Sequence, residues 1–170
     1  MEDILHRLES FNEYAIILTR KGEKILVDTA DYERFSKFTW YINSWGYAVR
    51  FIRAGGKKFC IQMHREVMGL VMHDGKIVDH VNRMKLDNRR ANLRLCTAGQ
   101  NIANSGPKSH NRLGVKGVRK YRNKFQAKIT IAGRRKFLGS FATAEEASEF
   151  FDLASVLLHG SFAPQEVNRG

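Results

Sequence analysis

Asp79 and His80 stand side by side in this chain, Asn92 follows twelve residues after the histidine, and Asn101 comes nine residues later. A carboxylate and an amide oxygen can hold a hard divalent cation, and an adjacent imidazole can take a proton from water. Asn and Asp also collect in turns for backbone reasons alone. Taken singly, each of these residues therefore reads as part of a polar, Asn-rich hairpin.

The elements around them suit such a hairpin. Ile77-Val78 reads as a brief strand that delivers Asp79 and His80 at its end. Residues 81 to 91 form a polar loop in which Asn82, Asp87 and Asn88 favour turn conformations. Leu93 and Leu95 alternate with Arg94 as a returning strand, and Thr97 caps a helix running through Asn104. Asn101 then lies about one turn into that helix. A β-hairpin packed on one helix would gather the four separated side chains.

The rest of the chain falls into three parts. Residues 1–62 read as a small β-rich region, with YAIILT and EKILVD joined by a turn at Lys21-Gly22. A short helix over TADYERFSKF, capped by Thr29 or Asp31, precedes a second strand pair, FTWYIN and GYAVRFI. Trp40, Tyr41, Trp45, Tyr47 and Phe51 fall in this pair; among basic residues such rings either stack on nucleotides or fill a core, and core is favoured. Residues 63–72 read as a short helix ending near Gly69, with His64 as a packed or capping residue and Arg65 within reach of a phosphate. Residues 105–113, SGPKSHNRL, are a basic linker that offers Lys108 and Arg112 to a polyanion.

Residues 114–168 read as three antiparallel strands and a helix. In KFQAKITI, alternation puts Phe125, Ala127, Ile129 and Ile131 on one face and Lys124, Gln126, Lys128 and Thr130 on the other. Ala132-Gly133 turns into RRKFLGSF, and Thr143 with Glu146 makes a capping box. Apolar residues at 147, 150, 151, 154, 157 and 158 predict a helical stripe that covers the sheet.

Composition points the same way. Net charge is +12, and the pI of about 10.0 favours a polyanionic partner. The 57 residues between Asp87 and Glu145 hold 14 Lys and Arg and no acid, whereas residues 1–60 carry a net charge of only +2. Two cysteines, Cys60 and Cys96, exclude a disulfide scaffold or a zinc ribbon and read as buried small residues. No apolar run has the length of a membrane span, and the charged N-terminus does not resemble a signal peptide, so a cytoplasmic protein is expected.

The ordered set Asp79, His80, Asn92 and Asn101 resembles the HNH, or His-Me finger, motif of phage and intron-associated homing endonucleases. MHREVMGL, VDHVN and LDNRRANLR are similar to stretches that occur there in the same order, and residues 114–163 look like an AP2 DNA-binding domain. The resemblance implies an α+β protein: a ββα-metal nuclease core over residues 63–104 and an AP2-like domain over 114–168. It implies one metal ion, Mg²⁺ with Mn²⁺ substituting, held by Asp79 and Asn101, and His80 as general base. Asn92 cannot titrate, so it would orient the finger and the His80 ring. The partner would be double-stranded DNA, cut to leave 5′-phosphate and 3′-hydroxyl ends. A monomer would nick, and a double-strand break would need dimerisation or a second binding event.

Arg83, Arg89 and Arg90 would clamp the DNA backbone beside the site; for Arg89 and Arg90 this is favoured over pairing with Asp87 or facing solvent. On the AP2-like sheet, Arg119, Arg122, Lys124, Lys128, Arg134 and Lys136 would face a major groove. Phe125 stands where AP2 domains often have Trp, which leaves it between a base contact and a core role. The rival reading is a non-catalytic DNA-binding regulator that retains the HNH fold.

Overall fold

The computed structural model describes residues 14–72 and 74–164. The chain divides into two compact units, Met1–Leu95 and Cys96–Gly170.

In the first unit, strands β1 (Tyr14–Leu18) and β2 (Lys24–Asp28) pair antiparallel, with Ile16 opposite Leu26. Their alternation buries Ile17, Ile25 and Val27. Helix α1 (Thr29–Phe35) follows at once, with Asp28 rather than Thr29 or Asp31 as its N-cap. The Asp28 side chain does not cap the helix; its carboxylate accepts the backbone N–H of Arg90 at 2.8 Å. A second sheet has the order β3 (Tyr41–Ile42), β4 (Ala48–Ala54), β5 (Lys57–Gln62), all antiparallel. β5 was not anticipated, although Gly55-Gly56, both at positive φ (56° and 73°), form the two-residue turn that joins it to β4.

β5 runs straight into α2 (Met63–Val67), a shorter helix than the 63–72 segment expected. β6 (Ile77–His80) and β7 (Leu93–Cys96) make a two-stranded sheet, with a 3₁₀ turn at Arg90–Asn92 leading into β7. Val78 and Leu93 from this hairpin join Ile25, Val27, Phe35, Trp40, Met63 and Val67 in one apolar cluster. The strand that carries Asp79 and His80 is thereby fixed to the core of its unit.

Of the five aromatic residues expected in that core, only Trp40 is fully buried; Trp45 is 70% exposed and Phe51 46%. Trp45 lies in the turn between β3 and β4, and Phe51 begins the outer part of the β4–β5 hairpin, where residues 51–54 are exposed on both faces. Tyr41 and Phe51 pack against each other, ring centroids 5.9 Å apart. Cys60, on β5, is likewise exposed rather than buried.

The second unit begins with α3 (Ala98–Asn104), whose N-terminus is closed by a reciprocal capping box between Thr97 and Gln100. Lys116 donates from Nζ to the carbonyls of Ile102, Ala103 and Ser105 at its C-terminal end. β8 (Val118–Tyr121), β9 (Lys124–Ile131) and β10 (Arg134–Phe141) form an antiparallel sheet with β9 in the middle. Helix α4 (Ala144–His159), with the expected Thr143–Glu146 capping box, packs on it.

Val118, Ala127, Ile129, Ala147 and Phe151 make the core of this unit, with Phe125 half-buried against it. The helix face that covers the sheet is narrower than the predicted stripe. Ala147, Ser148, Phe151, Ala154 and Ser155 are buried, whereas Phe150 and Leu157 are exposed. At 100° per residue, 150 and 157 point to the side of this arc, beyond what three strands can cover.

Candidate active site

Hydrogen bonds to β2 and within the β6–β7 loop hold it in shape. Its backbone is stitched to β2: Leu26 N–H donates to the Leu86 carbonyl and Asn88 N–H to the Leu26 carbonyl, both at 2.8 Å. Asn92 ties the loop across its mouth, with Oδ1 accepting from the Asn82 N–H at 2.9 Å and Nδ2 donating to the Asp87 carbonyl at 2.8 Å. Its own carbonyl accepts from the Val81 N–H at 2.9 Å. The amide of Asn92 thus fixes the finger through its backbone, and the ring of His80 is met by other side chains.

Asp87 is buried inside the loop, where it accepts from Asn82 Nδ2 at 2.8 Å and from Arg89 through Nε and a terminal nitrogen at 2.8 and 2.7 Å. Burial opposes its ionisation, but the Arg89 guanidinium and the Asn82 amide outweigh it and hold its pKa below the usual carboxylate value.

At the end of β6, Asp79 and His80 are both buried, at 6% and 4% exposure. Arg94, on β7, donates to Asp79 Oδ2 from Nε at 2.9 Å and from a terminal nitrogen at 2.7 Å. Desolvation lowers the pKa of His80; contact with Asn88 and the charges of Asp79 and Asp87 oppose that fall, and Lys85 adds to it. The imidazole is therefore neutral at pH 7 and able to accept a proton. Asn88 is buried alongside it, yet neither its amide oxygen nor its nitrogen makes a well-formed hydrogen bond among the described residues.

Asn101 lies in the second unit, exposed on α3, and its backbone N–H donates to the Thr97 carbonyl at 2.9 Å. No group of three or more His, Cys, Asp or Glu side chains that could hold a metal occurs among the described residues. The expected donors, one carboxylate and one amide oxygen, are fewer than three and both hard oxygen ligands, so water and phosphate oxygens would complete the shell. Such a set suits Mg²⁺.

Three of the arginines expected to meet DNA, Arg65, Arg89 and Arg90, are engaged within the protein. Arg89 is held by Asp87, Arg90 by Asp31 at 2.9 and 3.0 Å, and Arg65 by Asp74 and the carbonyls of Lys76 and Val71. Arg83 occupies the loop at a positive φ of 63°.

In the second unit, Lys108 and Arg112 are exposed. The register of the sheet sets Arg119 opposite Gln126, Tyr121 opposite Lys124, Phe137 opposite Lys128 and Arg135 opposite Thr130. Directly opposed residues share a face. The outward face therefore combines Arg119, Lys124, Lys128 and Arg135 with two aromatic rings. Arg135 and the rings were not picked out from sequence; counting alternation back along β10 from Phe137 would have found Arg135. Arg134 and Lys136 oppose Ile131 and Ile129 instead, at exposed positions on the edge strand, and Arg122 is in the β8–β9 turn.

Residues 66–103, which span the hairpin and α3, match the family described as HNH endonuclease. Over 162 residues the chain is 32% identical to the uncharacterized HNH endonuclease L560 of Acanthamoeba polyphaga mimivirus, covering 92% of this chain and 81% of that protein. No solved structure matches. The chain belongs to the HNH endonuclease family. Among the described residues, no helix is long and apolar enough to cross a membrane.

Proposed function

We propose that this protein is a site-selective, homing-type DNA endonuclease that hydrolyses phosphodiester bonds with one divalent metal ion. The observation that carries this reading is the end of β6, where a desolvated neutral imidazole adjoins a buried carboxylate on a strand anchored to the core. His80 would take the proton of the attacking water. Asp79 would hold the metal, and the motif's spacing supports Asn101 as a second oxygen ligand. When bound, Mg²⁺ or Mn²⁺ supplies positive charge to the phosphate and the departing 3′ oxygen. Asn92 would keep the hairpin closed so that the histidine and the carboxylate hold their places.

The cationic outward face of the β8–β10 sheet would bind duplex DNA, and its rings would add contacts to sugar or base. Target selection would reside there, and nuclease chemistry at the hairpin. Acting as a monomer, the protein would nick.

Supercoiled plasmid incubated with the protein and Mg²⁺ tests the reaction. The expected result is open circles that DNA ligase reseals directly, because the ends are 5′-phosphate and 3′-hydroxyl, and no cutting in EDTA. Cutting undiminished by EDTA, or nicks that ligase cannot seal, would refute the proposed chemistry.

A further inference from the structure

A second histidine borders the proposed base. His64 belongs to the first turn of α2, next to fully buried Met63, and is itself only 5% exposed. Its ring centroid lies 5.1 Å from that of His80, with the planes inclined at 68°. Tyr47 closes the triangle, 5.0 Å from His64 and 5.9 Å from His80. All three separations fall within the range of aromatic contact.

What holds His64 against both rings is packing. His64 Nδ1 is buried without a hydrogen-bond partner among the described residues, a cost that a phenylalanine would avoid. A proton on Nδ1 would be a buried orphan donor, so the geometry favours the neutral ring with its proton on Nε2. Burial first, then the charges on His80 and Arg65, push the His64 pKa down to about 3, which agrees.

We propose that His64 is a positioning residue for His80: a neutral aromatic wall, braced by Tyr47, that holds the imidazole of the base in one orientation. The inference rests on the reading of His80 as general base. A neutral neighbour suits that role, since a cation here would oppose the charge that His80 acquires on taking a proton. Misplacing a reacting group by about 1 Å can cost on the order of 100-fold in rate.

The full chain is compared with His64→Ala and His64→Phe by long-range ¹H–¹⁵N spectra of the His80 ring, single-turnover plasmid nicking in Mg²⁺, and DNA affinity. For His64→Ala the expected result is an averaged His80 ring signal and nicking slower by roughly 100-fold, with DNA affinity retained. His64→Phe should restore a single ring signal and bring the rate to within about tenfold of wild type. Should His64→Ala not fold, His64→Val removes the ring while keeping the site apolar. An unchanged His80 signal and rate in the ringless variant would overturn the proposal, as would a folded His64→Phe no better than His64→Ala. If the wild type does not nick at all, the endonuclease reading fails, and the ring spectra still decide whether His64 positions His80.

Discussion

Acidification should destabilise the first unit through His64, by an amount that can be worked out in advance. Its folded-state pKa is about 3, whereas an unfolded histidine titrates near 6.5. Below pH 6.5 the unfolded chain binds a proton that the folded chain refuses, so stability falls as pH drops through the window from about 6.5 to 3. Between pH 7 and pH 5 this linkage amounts to about 2 kcal/mol. His80, also depressed by burial, acts in the same direction.

Urea unfolding followed by tryptophan fluorescence is a suitable assay, because both tryptophans, Trp40 and Trp45, lie in the first unit. With a urea slope of about 2 kcal/mol per molar, the wild-type midpoint should fall by roughly 1 M more than that of His64→Phe over the same pH change. His80 is present in both proteins, so the comparison isolates His64. Equal acid sensitivity in the two would refute the argument, since it would mean that the ring at position 64 is protonated in the folded state.

Further outcomes follow from the same geometry. Asn92→Ala strands the Asn82 N–H and the Asp87 carbonyl inside the loop, and should cost about 2–4 kcal/mol in the same urea assay. Asp87→Asn leaves the Arg89 guanidinium without its charge partner and removes an ionised group that folding favours. That variant should be less stable than wild type at pH 7 and lose the difference as pH falls below about 4, where the unfolded Asp87 carboxyl protonates. Arg135→Ala, on the outward face of the β8–β10 sheet, should weaken DNA binding. Filter-binding titrations at several salt concentrations should show its logarithmic salt slope reduced by about 0.9. Lys136→Ala, paired with Ile129 on the edge strand, should change that slope less.

Much of this was legible in local pattern. Strict alternation in KFQAKITI marks β9, the Thr143–Glu146 pair marks the start of α4, and Ile77-Val78 ahead of Asp79-His80 marks β6. Motif spacing alone drew attention to Asp79, His80, Asn92 and Asn101. What surrounds His80 was not legible, because it arrives from afar in the chain. Tyr47 stands 33 residues before it and His64 stands 16 before it, and only packing around Trp40, Met63 and Val67 brings their elements to the hairpin. The pairing of Arg90 with Asp31 depends likewise on β2 and α1 lying under the loop, a contact between residues 59 apart. Exposure of Phe51 was missed for a related reason: alternation tells which residues share a face, and not whether anything covers it.

The central claim is that the buried imidazole at the end of β6 removes a proton from the attacking water. Single-turnover nicking of supercoiled plasmid in Mg²⁺ by wild type and His80→Ala, with DNA affinity measured on the same preparations, tests it most directly. The account predicts that His80→Ala binds DNA as wild type does and nicks at least about 100-fold more slowly. Nicking by His80→Ala at the wild-type rate would contradict it.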